Sequence, residues 1–444
     1  MAAAKEIAIG TVIDGHKLGG FQKMVFTLCV LLCFVEGFDA NSAGYVAPAL
    51  AKHFGLAHNA LGLFFSAGLF GLMLGAMFVA PIADKIGRKP MLVGCLILFG
   101  ASCIGMSMST SIETLYIFRF LTGLGIGGAM PNAIAMSAEY SPARIRSLVV
   151  IITFNGFVAG SITAGLAASR MIEAFGWNSV FLLGGIMPLL LAPVIFFLLP
   201  ESARFLAAKG GQDAQVAKLM RKIDPALPES GVTYINETKP ETRMSVKALF
   251  THGRARKTVL VWALVFCSLL DLFLMASWLP TQIASLGVPV GIAILLGTLL
   301  QVGGMTGMVL GWVMEKVGPS KALAGAYVIG AIGIAAIAMV GGNVPLLAIS
   351  ILCAGFGIIG AQTAATAVAA ELYPTEIRST GVGWYFGVGR IGSIVGPAIA
   401  GFLLSRGATN RDVFLLAVIP ALIAAVAALA LKQNARSADR ASAH

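Results

Sequence analysis

Uninterrupted apolar runs of 18 or more residues recur along nearly the whole of this 444-residue chain, and nothing constrains its fold more. A bilayer core takes about 20 helical residues to cross. Only helices or closed barrels satisfy their backbone inside it. With 58% hydrophobic and 11% charged residues, the chain carries more apolar surface than a water-soluble fold can hide. Splitting the runs at Pro, Gly and charge clusters predicts twelve spanning helices, near 24–48, 59–81, 90–110, 113–138, 145–169, 177–199, 258–281, 290–314, 321–341, 344–370, 377–405 and 412–431. The polar stretch 200–257 reads as a linker between an N-terminal six-helix bundle, 1–199, and a C-terminal one, 258–444, which ends in a short tail.

The net charge of +11 follows the membrane and not a nucleic acid. Placing both termini and the even-numbered connections on one face gathers 25 of the 31 Lys/Arg there, against Lys52, Arg170, Arg406 and Arg411 on the other. By the positive-inside rule the crowded face, with both termini, is cytoplasmic. The excess charge orients the protein and meets anionic lipid. The six cysteines all fall in apolar spans as packing residues, so no disulfide framework is expected. The N-terminal stretch has no short apolar core with a cleavage site, so no cleaved signal peptide is expected.

The chain repeats itself. "AEYSPARIRS" at 138–147 returns as "AELYPTEIRS" at 370–379, and the same shift of 232 carries Asp39 onto Asp271 and Pro48 onto Pro280. A shift of 231 lays Asp84 over Glu315 and Gly87 over Gly318. Two homologous six-helix halves explain the offsets, an organisation that secondary transporters use to build a site near the midplane.

Five charged side chains lie deep in spans. At about 1.5 Å per residue, Glu36 sits roughly 18 Å into the bilayer, with Asp39 one turn further on the same helix face. An ionised carboxylate facing lipid would cost at least a few kcal/mol. Two acids so close are expected to share a proton near neutral pH, which is what proton coupling needs. Fixed ion pairing that only holds helices together is the competing reading. Arg119 and Arg390 each need an anion: an embedded acid, or a substrate carboxylate that fits the planar guanidinium fork. We expect Arg390 to bind the substrate carboxylate and Arg119 to couple to the Glu36/Asp39 pair, although the sequence alone allows the exchange. Asp271 is the repeat partner of Asp39 and a further candidate for the proton or the anion shell. Phe38, Tyr45, Trp278, Trp384 and Tyr385 are candidate walls for an aromatic cargo, with Asn41, Asn132, Asn155, Gln301 and Gln362 as polar contacts. Each of these alone is more readily a packing or lipid-facing residue.

Toward the basic face, Asp84, Arg88 and Lys89, with Glu139, Arg144 and Arg146, form an expected charge network closing an inner gate, and Glu315, Glu371 and Arg378 are their counterparts in the second half. "GLGIGG" (123–128) and "GVGRIG" (387–392) satisfy G-x-G-x-x-G but lie within apolar spans, so neither is a nucleotide loop. Gly71/Gly75 and Gly303/Gly307/Gly311, at four-residue spacing, read as close helix contacts. The five histidines have no metal-ligand spacing, and the chain carries no nucleophile elbow, P-loop or cofactor motif. An enzyme is not expected.

The motifs resemble the major facilitator superfamily over the whole chain. "APIADKIGRKP" resembles its loop after the second span, with Ala80 where a Gly is usual, and "RFLTGLGIGGAMPNA" and "PESARFL" resemble its fourth-span and sixth-span signatures. "EGFDANSAGYVAPAL" resembles the D-G-x-D first-span motif of the aromatic acid:proton symporters, with Glu36 replacing the first Asp, and "GVGRIGSIVGPAIAG" resembles their eleventh span. The resemblance implies an all-α fold of twelve transmembrane helices in two pseudo-symmetric bundles, residing in the inner membrane as a functional monomer. It also implies import of benzoate-like or hydroxybenzoate anions with protons. A symporter of another organic anion such as a dicarboxylate or sugar acid, a drug/proton exporter, and a membrane receptor or embedded enzyme are the alternatives.

Overall fold

The computed structural model describes residues 5–228, 232–235, 246–251, 253–374 and 377–431. The tail expected after 431 and parts of the expected linker lie outside these residues. Eleven of the described helices are long and apolar enough to cross a membrane. The one remaining expected span, the fourth, is the 28-residue helix Ile112–Glu139, whose apolar character is diluted by Arg119, Pro131, Asn132 and its glycines. The spans are therefore, in order, Gly20–Phe54, His58–Ile86, Arg88–Ser107, Ile112–Glu139, Ala143–Phe175, Asn178–Leu198, Ala255–Ser285, Val290–Val317, Pro319–Val340, Val344–Leu372, Thr380–Ser405 and Asn410–Ala430. Large apolar side chains such as Phe78, Leu190, Ile332 and Val426 stand exposed on them. In water that surface would be unstable, and in a multi-pass membrane protein it meets lipid.

The chain divides into two compact units, Met1–Phe54 with Ala67–Glu241, and Gly55–Ser66 with Thr242–His444. In the first, Gly37 and Gly160 remove the side chains that would separate the first and fifth spans. A Cβ on Gly37 would collide with the Phe157 carbonyl oxygen, and one on Gly160 with that of Phe34. This contact fixes the rotation of the first span. In the second unit, Gly392 and Gly396 do the same between the eleventh and seventh spans, against the Phe266 and Leu270 carbonyls.

The repeat is visible in the packing. Gly71 and Gly75 of the second span press on the Phe120 and Leu124 carbonyls of the fourth, while Gly303 and Gly307 of the eighth span press on Leu352 and Gly360 of the tenth. Phe120 and Leu352 are themselves 232 residues apart. Helix geometry breaks at the matching places, as a π-helical turn over Gly75–Val79 and a 3-10 turn over Thr306–Met308. Each turn contains one of the contact glycines, Gly75 and Gly307, and such turns commonly mark functional helix segments.

The described residues between 200 and 235 are folded and belong to the first unit. They contain helices Ala203–Lys209 and Asp213–Arg221, and strand β2 (Val232–Ile235) pairs in parallel with β1 (Lys5–Ala8) from the N-terminus. The helix Ile9–Gly15, between β1 and the first span, buries Ile9, Val12 and Ile13.

Candidate functional site

The first span brings Asp39 to Arg119. Asp39 is fully buried, and its Oδ2 accepts from Arg119 Nη1 at 2.9 Å. Arg119 Nη2 also donates to the Ala40 carbonyl at 3.2 Å. The other carboxylate oxygen, Oδ1, accepts from the Cys103 thiol at 3.1 Å. Both oxygens of Asp39 are thus occupied. Gly68 of the second span makes room for the arginine: a Cβ there would lie 2.7 Å from Arg119 Nε and 3.0 Å from its Cγ. Because the ion pair pins those atoms, Gly68→Ala should cost about 1–3 kcal/mol by overpacking. A lowered thermal midpoint of the detergent-purified protein reports it, and an unchanged midpoint would show that Arg119 yields freely.

Glu36 goes elsewhere. It is fully buried, and neither carboxyl oxygen has a hydrogen-bond partner among the described residues. The ionisable groups it acts on are the thiols of Cys33, on its own helix, and Cys95, on the third span. The expected carboxyl pair is therefore not a mutually coupled one. Helical i, i+3 spacing places both acids on one side of the helix, but Asp39 is held by the fourth span and Glu36 is not.

In the second unit, Asp271 is equally buried, and both its oxygens lack partners among the described residues. Around it are Cys267, and Tyr327 of the ninth span, whose hydroxyl donates to Ser268 Oγ at 3.0 Å. Gln362 of the tenth span donates to the Tyr385 hydroxyl at 3.2 Å, while its own carbonyl oxygen is unsatisfied among the described residues. Arg390 is half-buried and makes no ion pair or side-chain hydrogen bond among the described residues.

The expected aromatic walls separate into two groups. Phe38, Tyr45, Trp278 and Tyr385 are core residues, all 3% exposed or less, and Trp278 Nε1 donates to the Pro397 carbonyl. Trp384 is exposed and stacks on Trp262, with ring centroids 5.7 Å apart. Asn41 and Gln301 are buried, Asn155 is half-buried, and Asn132 donates to the Ala80 and Gly128 carbonyls. Phe386, absent from the sequence-based set, is exposed one turn before Arg390 on the same helix face.

Of the charge network, the first unit assembles a part. Arg88 pairs with Glu139 at 2.7 Å, and Glu139 also accepts a short hydrogen bond from Ser202 Oγ. Glu201, which sequence reasoning missed although it stands in the quoted "PESARFL", is the hub. Its Oε1 accepts from the backbone N–H groups of Arg88, Lys89 and Ser202, tying the start of the third span to the end of the sixth. Gly87, at φ 103°, allows this approach, since a Cβ would collide with Glu201 Oε2. Tyr140 donates to the Glu201 carbonyl, and burial, reinforced by Glu139 and Glu201, pushes its hydroxyl above the usual range, so it stays a donor. Lys89 lies over the Phe196 ring.

Other members of the expected network do not join. Arg144 donates to the His16 carbonyl at 2.8 Å and Arg146 lies 3.9 Å from Asp14, so both hold the N-terminal segment. Asp84 is exposed without an ion pair among the described residues. Glu315 and Glu371 are likewise exposed and unpaired among them, and Arg378 donates to the Tyr373 carbonyl at 3.4 Å. The acids recur across the repeat, but among the described residues the ion-pair network is built in the first unit only. Among those residues no cluster of His, Cys, Asp or Glu could hold a metal.

Two bundles of six spanning helices with ionisable side chains at mid-span define a transporter, not an enzyme, and residues 29–310 and 261–443 match the family described as Major Facilitator Superfamily. The chain belongs to that superfamily, and within it to the aromatic acid family. It is 39% identical over 94% of its length to the 4-hydroxybenzoate transporter PcaK of Acinetobacter baylyi, covering 92% of that protein. To the gallate transporter of Pseudomonas putida it is 37% identical, covering 94% of this chain and 93% of that one. Among solved structures, it superposes at a TM-score of 0.73 on a bacterial homolog of the human lysosomal transporter Spinster, described as inward-facing and unoccupied. The identity there is 16%, with 94% of this chain and 98% of that one covered, so this likeness speaks to the fold alone.

Proposed function

We propose that the protein is a proton-coupled importer of aromatic monocarboxylates of the benzoate and hydroxybenzoate class, working by alternating access as a monomer in the inner membrane with both termini cytoplasmic. One observation carries the reading. Arg390 holds a guanidinium in the middle of a spanning helix, and no anion among the described residues neutralises it. A carboxylate ligand supplies that anion and matches the planar fork through two parallel hydrogen bonds. Phe386 and Trp384 are exposed aromatic residues of the same helix and would wall the ring.

Relatives named as 4-hydroxybenzoate, gallate and benzoate transporters support the substrate class. Proton coupling is supported by acids buried at mid-span: Glu36 and Asp271, without partners among the described residues, and Asp39 in an ion pair with Arg119. The Arg88–Glu139–Ser202 cluster, fastened by Glu201, would act as the cytoplasmic latch of the first half.

Purified protein in liposomes should accumulate labelled 4-hydroxybenzoate, above the level of protein-free liposomes, when the lumen is alkaline relative to the bath. Uptake that ignores an imposed pH gradient would sink proton coupling. Equal competition by aliphatic carboxylates would sink the aromatic assignment in favour of another organic anion.

A further inference from the structure

Five charged side chains stand at mid-span, three acids and two arginines. They do not balance. Asp39 and Arg119 cancel as an ion pair, with the second Asp39 oxygen taken by Cys103. Glu36, Asp271 and Arg390 are left, each without a partner among the described residues. An uncompensated charge is costly at that depth, so each conformational crossing favours a neutral interior. With substrate bound, its carboxylate cancels Arg390, and neutrality requires both Glu36 and Asp271 to hold protons. With substrate gone, Arg390 is bare, and neutrality requires one of the two acids to have lost its proton.

Asp271 is the acid in the same unit as Arg390. The Gly392 and Gly396 contacts with Phe266 and Leu270 run the eleventh and seventh spans side by side in one direction. In that register Arg390 lies level with Leu264, and Asp271 is seven residues further along, roughly 10 Å. Among the described residues no other charged group faces Asp271. Its ionisable neighbours are Cys267 on its own helix and Tyr327 from the ninth span, with Tyr385 of the eleventh beyond it. Ser268, one turn before Asp271 on the seventh span, accepts from the Tyr327 hydroxyl, so the two hydroxyls pair with each other beside the carboxyl.

We infer that the carrier moves one proton with each aromatic carboxylate, that Asp271 is the site of that proton, and that Glu36 keeps its own proton throughout the cycle. This rests on the proton-coupled reading above. One proton and one monoanion enter together, and no net charge crosses. On release, the proton leaves Asp271 for cytoplasmic water and the ionised carboxyl takes over the neutralisation of Arg390.

The test uses the full chain in liposomes with 4-hydroxybenzoate, varying the pH gradient and a potassium diffusion potential separately and subtracting uptake by protein-free liposomes. With the potential clamped at zero, the accumulation ratio should rise about tenfold per pH unit. With no pH gradient, a membrane potential should leave accumulation unchanged. A ratio near a hundredfold per pH unit, with about tenfold more for each ~60 mV of potential, would mean two protons and overturn the proposal. No response to pH at all would overturn the proton-coupled reading itself, which is a separate outcome. Asp271→Asn should retain exchange of labelled for unlabelled substrate while losing pH-driven accumulation. Asp271→Asn that still accumulates about tenfold per pH unit would remove the assignment. So would Glu36→Gln that exchanges substrate but no longer accumulates it.

Discussion

Arg390→Ala should weaken binding of a benzoate-type anion by roughly 30-fold to 1,000-fold, the loss expected when one partner of a buried charge-assisted pair is removed, about 2–4 kcal/mol. Arg390→Lys should fall between, because an ammonium keeps the charge but cannot offer two parallel donors in a plane. Titration calorimetry on detergent-purified protein measures the affinity, and liposome uptake should follow it. The unusual part of the expectation concerns stability. Arg390 has no partner among the described residues, so its removal orphans nothing there, and the thermal midpoint of the ligand-free protein should hold or rise. Ligand should raise the midpoint of the wild type and not that of Arg390→Ala. Wild-type affinity in Arg390→Lys would remove Arg390 from the substrate's carboxylate.

The arginine stands out in the sequence because of its depth: a charge a dozen residues into an apolar run has few explanations. The same physics makes the spans readable, because hydrocarbon imposes one length and one composition on each crossing helix. The repeat is readable because its offset of 232 survives both in charged loops and in the glycine contacts between the second and fourth, and eighth and tenth, spans. What escapes is whatever depends on helix rotation. Spacing puts Glu36 and Asp39 on one side of the first span, but the contact of Gly37 with Phe157 decides which neighbour each meets, and only Asp39 meets the arginine. Rotation likewise turns Tyr385 and Trp278 into the core while Phe386 and Trp384 face out. Cys103 gives no signal, because a thiol in an apolar run reads as packing until a carboxylate is found 3.1 Å away. Glu201 stands within a motif yet receives no task from the sequence, since its role is to accept backbone N–H groups, which no side-chain pattern encodes. The charged loops mislead in the second half for a related reason. Glu315 and Glu371 inherit their places from the repeat, but the hub does not recur with them. A shift of 232 carries Glu201 onto Gln433, a neutral amide that lies outside the described residues.

Arg119→Gln should be the most destabilising of the single charge changes in the first unit, because it strands Asp39 as a buried carboxylate with the weak Cys103 thiol as its one remaining donor among the described residues. Removing one partner of a buried ion pair costs about 3–5 kcal/mol, enough to exhaust much of a domain's net stability. Asp39→Asn leaves the mirror fault, a guanidinium beside Gly68 that keeps the Ala40 carbonyl but has lost the Asp39 carboxylate. The double change Asp39→Asn with Arg119→Gln removes both charges and leaves two amides that can bond each other, so it should recover a large part of the loss. The cycle is read from thermal midpoints of the four proteins in one detergent. Function should not return with stability, since the neutral pair no longer holds the Ala40 carbonyl and the first span through a charged fork. Additive losses in the double variant would mean that the two side chains stabilise the bundle independently, and the 2.9 Å contact would then be no more than proximity.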